Sequence, residues 1–131
     1  MFTAKFLLAA LGFTAVSSPL ILAGELASPS ITACSGSINP PDGCSIISVV
    51  SAGCINLTGD LSSLNKQVSW AQVPAGFVCT FFQNRDCTNG GVNAHDVVVL
   101  EGGIWDMSDV QGIAGPQNFD DQTSSISCSP V

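Results

Sequence analysis

Six cysteines lying beyond an N-terminal leader constrain this chain of 131 residues more than any other feature. Lys5 precedes an apolar run, Phe6-Leu7-Leu8-Ala9-Ala10-Leu11-Gly12-Phe13, which is too short to span a bilayer. Small-residue exits follow at Ala15-Val16-Ser17 and at Ile21-Leu22-Ala23. Residues 1–23 therefore read as a secretory signal peptide, cleaved after Ser17 or after Ala23. No later apolar run is long enough to hold the mature chain in a membrane. In an oxidising compartment an even cysteine count predicts three disulfides among Cys34, Cys44, Cys54, Cys79, Cys87 and Cys128, with the pairing open among fifteen possibilities. Zinc needs short paired spacings such as C-x₂-C, and none occurs here. The cysteines are staples for a small core, each bridge contributing about 2–4 kcal/mol.

Charge narrows the function classes. Once Lys5 leaves with the leader, Lys66 and Arg85 stand against ten carboxylates, a balance of −8. Such a surface repels phosphate backbones and anionic lipid, which argues against nucleic-acid binding and membrane-disrupting action.

Residues 24–44, rich in Ser, Pro and Gly, read as an irregular arm tied down by Cys34 and Cys44, with the folded domain expected over 45–131. Short β-branched or alternating stretches follow. Ile46 to Val50, Cys54 to Leu57, Val68 to Val73, Phe77 to Phe82, Val97 to Leu100 and Ile104 to Met107 read as strands. Asp60 to Asn65 reads as one helical turn, Pro74-Ala75-Gly76 as a turn, and the remainder after Met107 up to Asn118 as a loop punctuated by Gly and Pro. The pattern predicts an all-β fold, an antiparallel β-sandwich with Greek-key connections. Asn56-Leu57-Thr58 is a glycosylation sequon, which places Asn56 at the surface.

Two internal matches suggest a duplicated four-strand unit. Val49 to Ile55 lines up with Val98 to Ile104 at an offset of 49, and Asn65 to Trp70 with Asp120 to Ser125 at an offset of 55. The second match ends in the most chemically suggestive loop, Asp120-Asp121-Gln122-Thr123-Ser124-Ser125. Adjacent carboxylates, hydroxyls and carbonyls supply the oxygen ligands that a hard cation such as Ca²⁺ takes. The alternative is a solvated turn that starts a strand.

With these residues in view, the chain resembles the βγ-crystallin family in its single-domain microbial form. That family's calcium loop is Asn/Asp, Asn/Asp, two free positions, Ser/Thr and Ser, which Asp120 to Ser125 fits. The run Gln72 to Asn84, containing Val73-Pro74-Ala75-Gly76, resembles the segment joining the family's two motifs, and Gly90 or Gly91 stands where it has a hairpin glycine. The resemblance implies two Greek-key motifs packed face to face. It also implies a weak calcium site, in the range of roughly 10⁻⁴–10⁻³ M. Its ligands would be the side chain of Asp120 or Asp121, the carbonyl of Gln122 and the hydroxyl of Ser124. In the first loop Lys66 and Trp70 depart from the pattern, so that site is expected to be dead or very weak, with the ammonium acting as a built-in counter-cation.

Other chemistry finds little support. His95, the sole histidine, adjoins Asp96 without an activated-nucleophile signature. Glu101, Asp106 and Asp109 are spaced as solvent-facing loop acids rather than a glycosidase pair. Trp70 and Trp105 are expected to fill the core rather than stack sugars. The chain therefore reads as a non-enzymatic, monomeric extracellular module for an unidentified protein or surface ligand, similar to fungal small secreted effector-like proteins. A toxin or protease inhibitor acting through the loop Asn84 to Asn93, held at Cys87, is the second reading.

Overall fold

The computed structural model describes residues 29–49, 53–91, 94–112 and 115–131. Residues 1–28, which contain the expected signal peptide and the first residues of the arm, lie outside them. The fold is all-β. Strands β1 (Ser30–Cys34), β2 (Cys44–Ser48), β3 (Cys54–Asn56), β4 (Trp70–Phe82), β5 (Val97–Asp106), β6 (Val110–Gly112), β7 (Gly115–Gln117) and β8 (Ser125–Pro130) pair antiparallel throughout. A 3₁₀ helix, Gly59–Leu64, supplies the single helical turn expected there, and a shorter one covers Arg85–Cys87.

β4 organises the sheet. One edge pairs with β5 over nearly its whole length. Its other edge changes partner midway: Trp70 to Gln72 face β1, and Phe77 to Phe82 face β8. Pro74-Ala75-Gly76, expected as a turn, does not end the strand. Instead the chain runs on as one strand, with a register shift between Val73 and Val78. Pro74 offers no N–H to a ladder, and Gly76 takes φ +82°. The irregularity therefore bends the strand rather than ending it. Opposite it, a Cβ on Gly102 would lie 3.0 Å from the Pro74 carbonyl oxygen, so any side chain there would crowd the facing backbone.

Two more expectations change. Ser30–Cys34, in the stretch read as an irregular arm, is a strand that pairs with β4 and buries Ile31 and Ala33. Its alternation of Ile31, Thr32 and Ala33 was masked by the turn residues around it. Within the stretch expected as loop, Val110–Gly112 adds the short β6 against β5, and Gly115–Gln117 adds β7 against β6.

The core sits where β4, β5 and β8 align. Ile126, Phe81 and Val98 form one row across the three strands, each fully buried, and Cys128, Cys79 and Leu100 form the next. The pairing of the cysteines is Cys34–Cys44, Cys54–Cys87 and Cys79–Cys128. The first and third join directly opposed residues of neighbouring strands. The Cys54–Cys87 bridge ties β3 to the second 3₁₀ turn.

Trp105 lies on the core face and packs against the buried cluster, while its indole N–H donates to the Glu101 carbonyl at 2.7 Å. Trp70 does not fill the core. It faces outward in the row Cys44–Cys34–Trp70–Asp106 and lines a shallow cleft with Ile38 and Ile104. Strand parity decides this, because Ala71 takes the inward position.

Loop-closure entropy grows with the logarithm of loop length. The Cys79–Cys128 bridge spans 49 positions and the Cys34–Cys44 bridge 10. Replacing both cysteines of the longer bridge by Ala should cost about 2–5 kcal/mol in urea denaturation, more than the same change at Cys34 and Cys44. Equal losses would mean that strain or core packing, not loop length, sets the effect.

Candidate functional site

The second acidic loop forms between β7 and β8. Phe119 is fully buried and anchors its start, its N–H donating to the Met107 carbonyl at 2.6 Å. The Asn118 side chain accepts from the Asp120 N–H at 2.9 Å, a local Asx turn. Asp121 then takes φ +60°, a left-handed position that Asp and Asn enter more readily than most residues. Gln122 N–H donates back to the Phe119 carbonyl at 3.3 Å, and Thr123, Ser124 and Ser125 enter the protein interior.

The loop Asn65 to Trp70 is built the same way. Leu64 is buried as Phe119 is, Lys66 takes φ +61°, and Gln67 N–H donates to the Leu64 carbonyl at 2.9 Å. The two loops also bond each other reciprocally. Lys66 N–H donates to the Thr123 carbonyl at 2.8 Å, and Asp121 N–H to the Val68 carbonyl at 3.1 Å. Ser69 N–H donates to the Cys34 carbonyl and Ser124 N–H to the Phe82 carbonyl, both at 2.8 Å. The carbonyls of the same two serines each accept at 3.0 Å, from Met107 and Leu57 respectively. Loop residues at the expected offset of 55 thus occupy matching places. The other expected offset, 49, becomes 50: Asn56 opposes Ser125 as Asp106 opposes Trp70. Gly102 stands alone across from the bulge at Pro74 to Phe77.

The four residues expected around calcium are together in sequence but differently engaged. Asp121 is exposed, and its Oδ1 accepts from the Ser69 hydroxyl at 3.4 Å. Asp120 is half-buried. Ser124 is 4% exposed, with both its backbone groups in the sheet connections above. The Gln122 carbonyl, expected to face the metal, accepts instead from the Lys66 ammonium at 3.1 Å. The same ammonium donates to the Gln83 carbonyl. Desolvation lowers the Lys66 pKa below the ordinary lysine value, yet the side chain is only half-buried and keeps contact with water. Among the described residues no group of three or more His, Cys, Asp or Glu side chains comes together as a metal site. The donor set does not fit a calcium ion while a fixed positive charge holds one of its carbonyls.

Sequence reasoning recognised Lys66 as a built-in cation but assigned it to its own loop. Its side chain crosses to the other. Only the reciprocal folding of the repeats brings it there, and the spacing of 56 residues between Lys66 and Gln122 carries no local signal.

The remaining candidates have structural partners. Asp106 Oδ1 accepts from the Ser108 N–H at 3.0 Å and its hydroxyl at 2.7 Å, as a turn cap. His95 is exposed, and its backbone carbonyl accepts from the Gln117 side chain at 2.7 Å. Asn56, expected at the surface, is half-buried. Its amide donates to Asp86 Oδ1 at 3.0 Å and accepts from the Asp86 N–H at 2.8 Å. Ser125, which the family pattern places last in the loop, anchors the Cys87 turn: its hydroxyl accepts from Cys87 N–H at 2.9 Å and donates to the Asn84 carbonyl at 2.6 Å. Comparison with known proteins finds no family model that matches the chain and no matching curated protein.

Two substitutions test the loop. Thr123 is fully buried with an unpartnered hydroxyl, while its counterpart is Val68. Thr123→Val should raise stability by about 1 kcal/mol, because it removes an unsatisfied polar group without changing shape. Asp121→Ala should cost about 1–2 kcal/mol through its left-handed backbone, whereas Asp121→Gly should stay near the parent. Equal losses for Ala and Gly would place the importance in the carboxylate instead.

Proposed function

We propose that the chain is a secreted, non-enzymatic interaction module of the βγ-crystallin type, two Greek-key motifs packed face to face and stapled by disulfides. Several features support this architecture. β3 of the first repeat pairs with β8 of the second, and the end of β5 pairs with the beginning of β4. That is an exchange of equivalent strands between two units, and it accompanies the reciprocal loop bonds. Three disulfides and no free thiol among the described residues suit an extracellular setting.

One observation carries the functional part. On the outer face, Ile46, Thr32, Gln72 and Ile104 lie in a single row, with Ile46 76% and Ile104 53% exposed and Trp70 beside them. Apolar side chains held outward on a cross-linked sheet form a rigid patch suited to a surface ligand or a protein partner. The inhibitor reading has a weaker basis. Arg85 is exposed on a loop anchored by Cys54–Cys87, but it opens a 3₁₀ turn and Asp86 follows at φ +63°. A segment that binds by strand addition to a protease cleft runs extended.

The full chain expressed in a secretory host should be recovered from the medium, starting at residue 18 or 24, with no titratable thiol. The oxidised protein is then presented to insoluble extracellular polysaccharides and to a protease panel, beside Ile46→Glu and Ile104→Glu. Retention by the parent that falls tenfold or more in both variants, with unchanged melts, is expected. Equal retention by the variants, or turnover of a substrate by the parent, would defeat the proposal.

A further inference from the structure

The Lys66 ammonium crosses from one loop to close the other, and its two acceptors come from separate elements. Gln83 directly follows β4, and Gln122 lies in the turn before β8. Backbone carbonyls from different segments that converge on one point form the type of oxygen cage a hard cation occupies. A lysine ammonium is a compact point charge with three donors, and it satisfies two such carbonyls while leaving one donor for water.

The backbone makes this possible. Lys66 holds φ +61°, a conformation that costs a lysine energy and that glycine or asparagine would enter with less strain. Its counterpart in the second loop, Asp121, holds φ +60°. Equivalent left-handed positions thus carry opposite charges, and the positive one reaches the loop that contains the negative one. A divalent ion bound at the Gln122 carbonyl would have to expel the ammonium or suffer its repulsion at contact distance.

We infer that the carbonyls of Gln83 and Gln122 form a cation site whose permanent occupant is the Lys66 ammonium, so that the chain carries its own cation where a metal would otherwise sit. The inference uses the repeat equivalence of the two loops and is independent of any partner of the outer face. The loop is closed in the absence of calcium, and calcium gains access only when Lys66 is removed.

The test compares thermal melts of the oxidised mature protein, Lys66→Met and Lys66→Arg, each in chelator and in millimolar Ca²⁺. Lys66→Met, which keeps the stem and loses the charge, should melt about 5 °C or more below the parent in chelator. Calcium should restore most of that difference while leaving the parent and Lys66→Arg unmoved. Three results would overturn the inference: Lys66→Met melting with the parent, calcium raising the parent as much as the variant, or a destabilised Lys66→Met that gains nothing from calcium. The parent alone gives a second readout should the variant fail to fold. Lys66 is the sole lysine left after leader cleavage, so a ¹⁵N spectrum contains one side-chain ammonium. A slowly exchanging ammonium signal, unchanged by millimolar Ca²⁺, is expected; a freely exchanging one, or its release by calcium, refutes the site. Either refutation leaves the outer-face proposal standing, since that is decided by Ile46→Glu and Ile104→Glu.

Discussion

Two backbone hydrogen bonds, Lys66 N–H to Thr123 and Asp121 N–H to Val68, lock the two matching loops to each other. They are buried between loops whose neighbouring residues, Leu64, Val68, Phe119 and Thr123, are all nearly or wholly excluded from water. An amide left unpaired in that setting loses its hydration with no return, so neither loop is free to shift alone. The placement of the strands follows. Ser69 and Ser124, immediately downstream, hand their amides to Cys34 and Phe82 and so fix where β4 and β8 join the sheet. The left-handed residues Lys66 and Asp121 are the local expense of turning both loops inward.

Much of the sheet was legible because strands announce themselves by composition. Phe77 to Phe82 and Val97 to Leu100 are apolar and β-branched enough to be recognised without context. Ser30 to Cys34 was not, since its few apolar positions sit among Ser, Pro and Gly, and only its pairing with Trp70 to Gln72 makes it a strand. The bend at Pro74 to Gly76 was misread for a related reason. A proline and a glycine mark an interruption of the ladder, but whether the chain reverses or continues depends on the strand available beyond it, here β8.

At the loop, the sequence singled out residues that the structure holds in one turn, without placing Lys66 against them. Asp120 to Ser125 stand together at the end of the sheet as their pattern suggested. The pattern describes one loop at a time, whereas the ammonium that reaches the Gln122 carbonyl comes from the other loop. The duplicated offset of 55 was visible, and it contained the information that Lys66 and Asp121 are counterparts. What it lacked was handedness and distance, the two quantities that send a long side chain across to the Gln122 carbonyl rather than out to solvent.

The disulfides also have a topological meaning. The ring closed by Cys54 and Cys87 overlaps the ring closed by Cys79 and Cys128. A single backbone cut anywhere from residue 54 to residue 128 therefore releases no fragment, because an intact covalent path always runs around it. A nicked chain stays one covalently joined molecule. Separating the pieces then takes a second cut or a reductant.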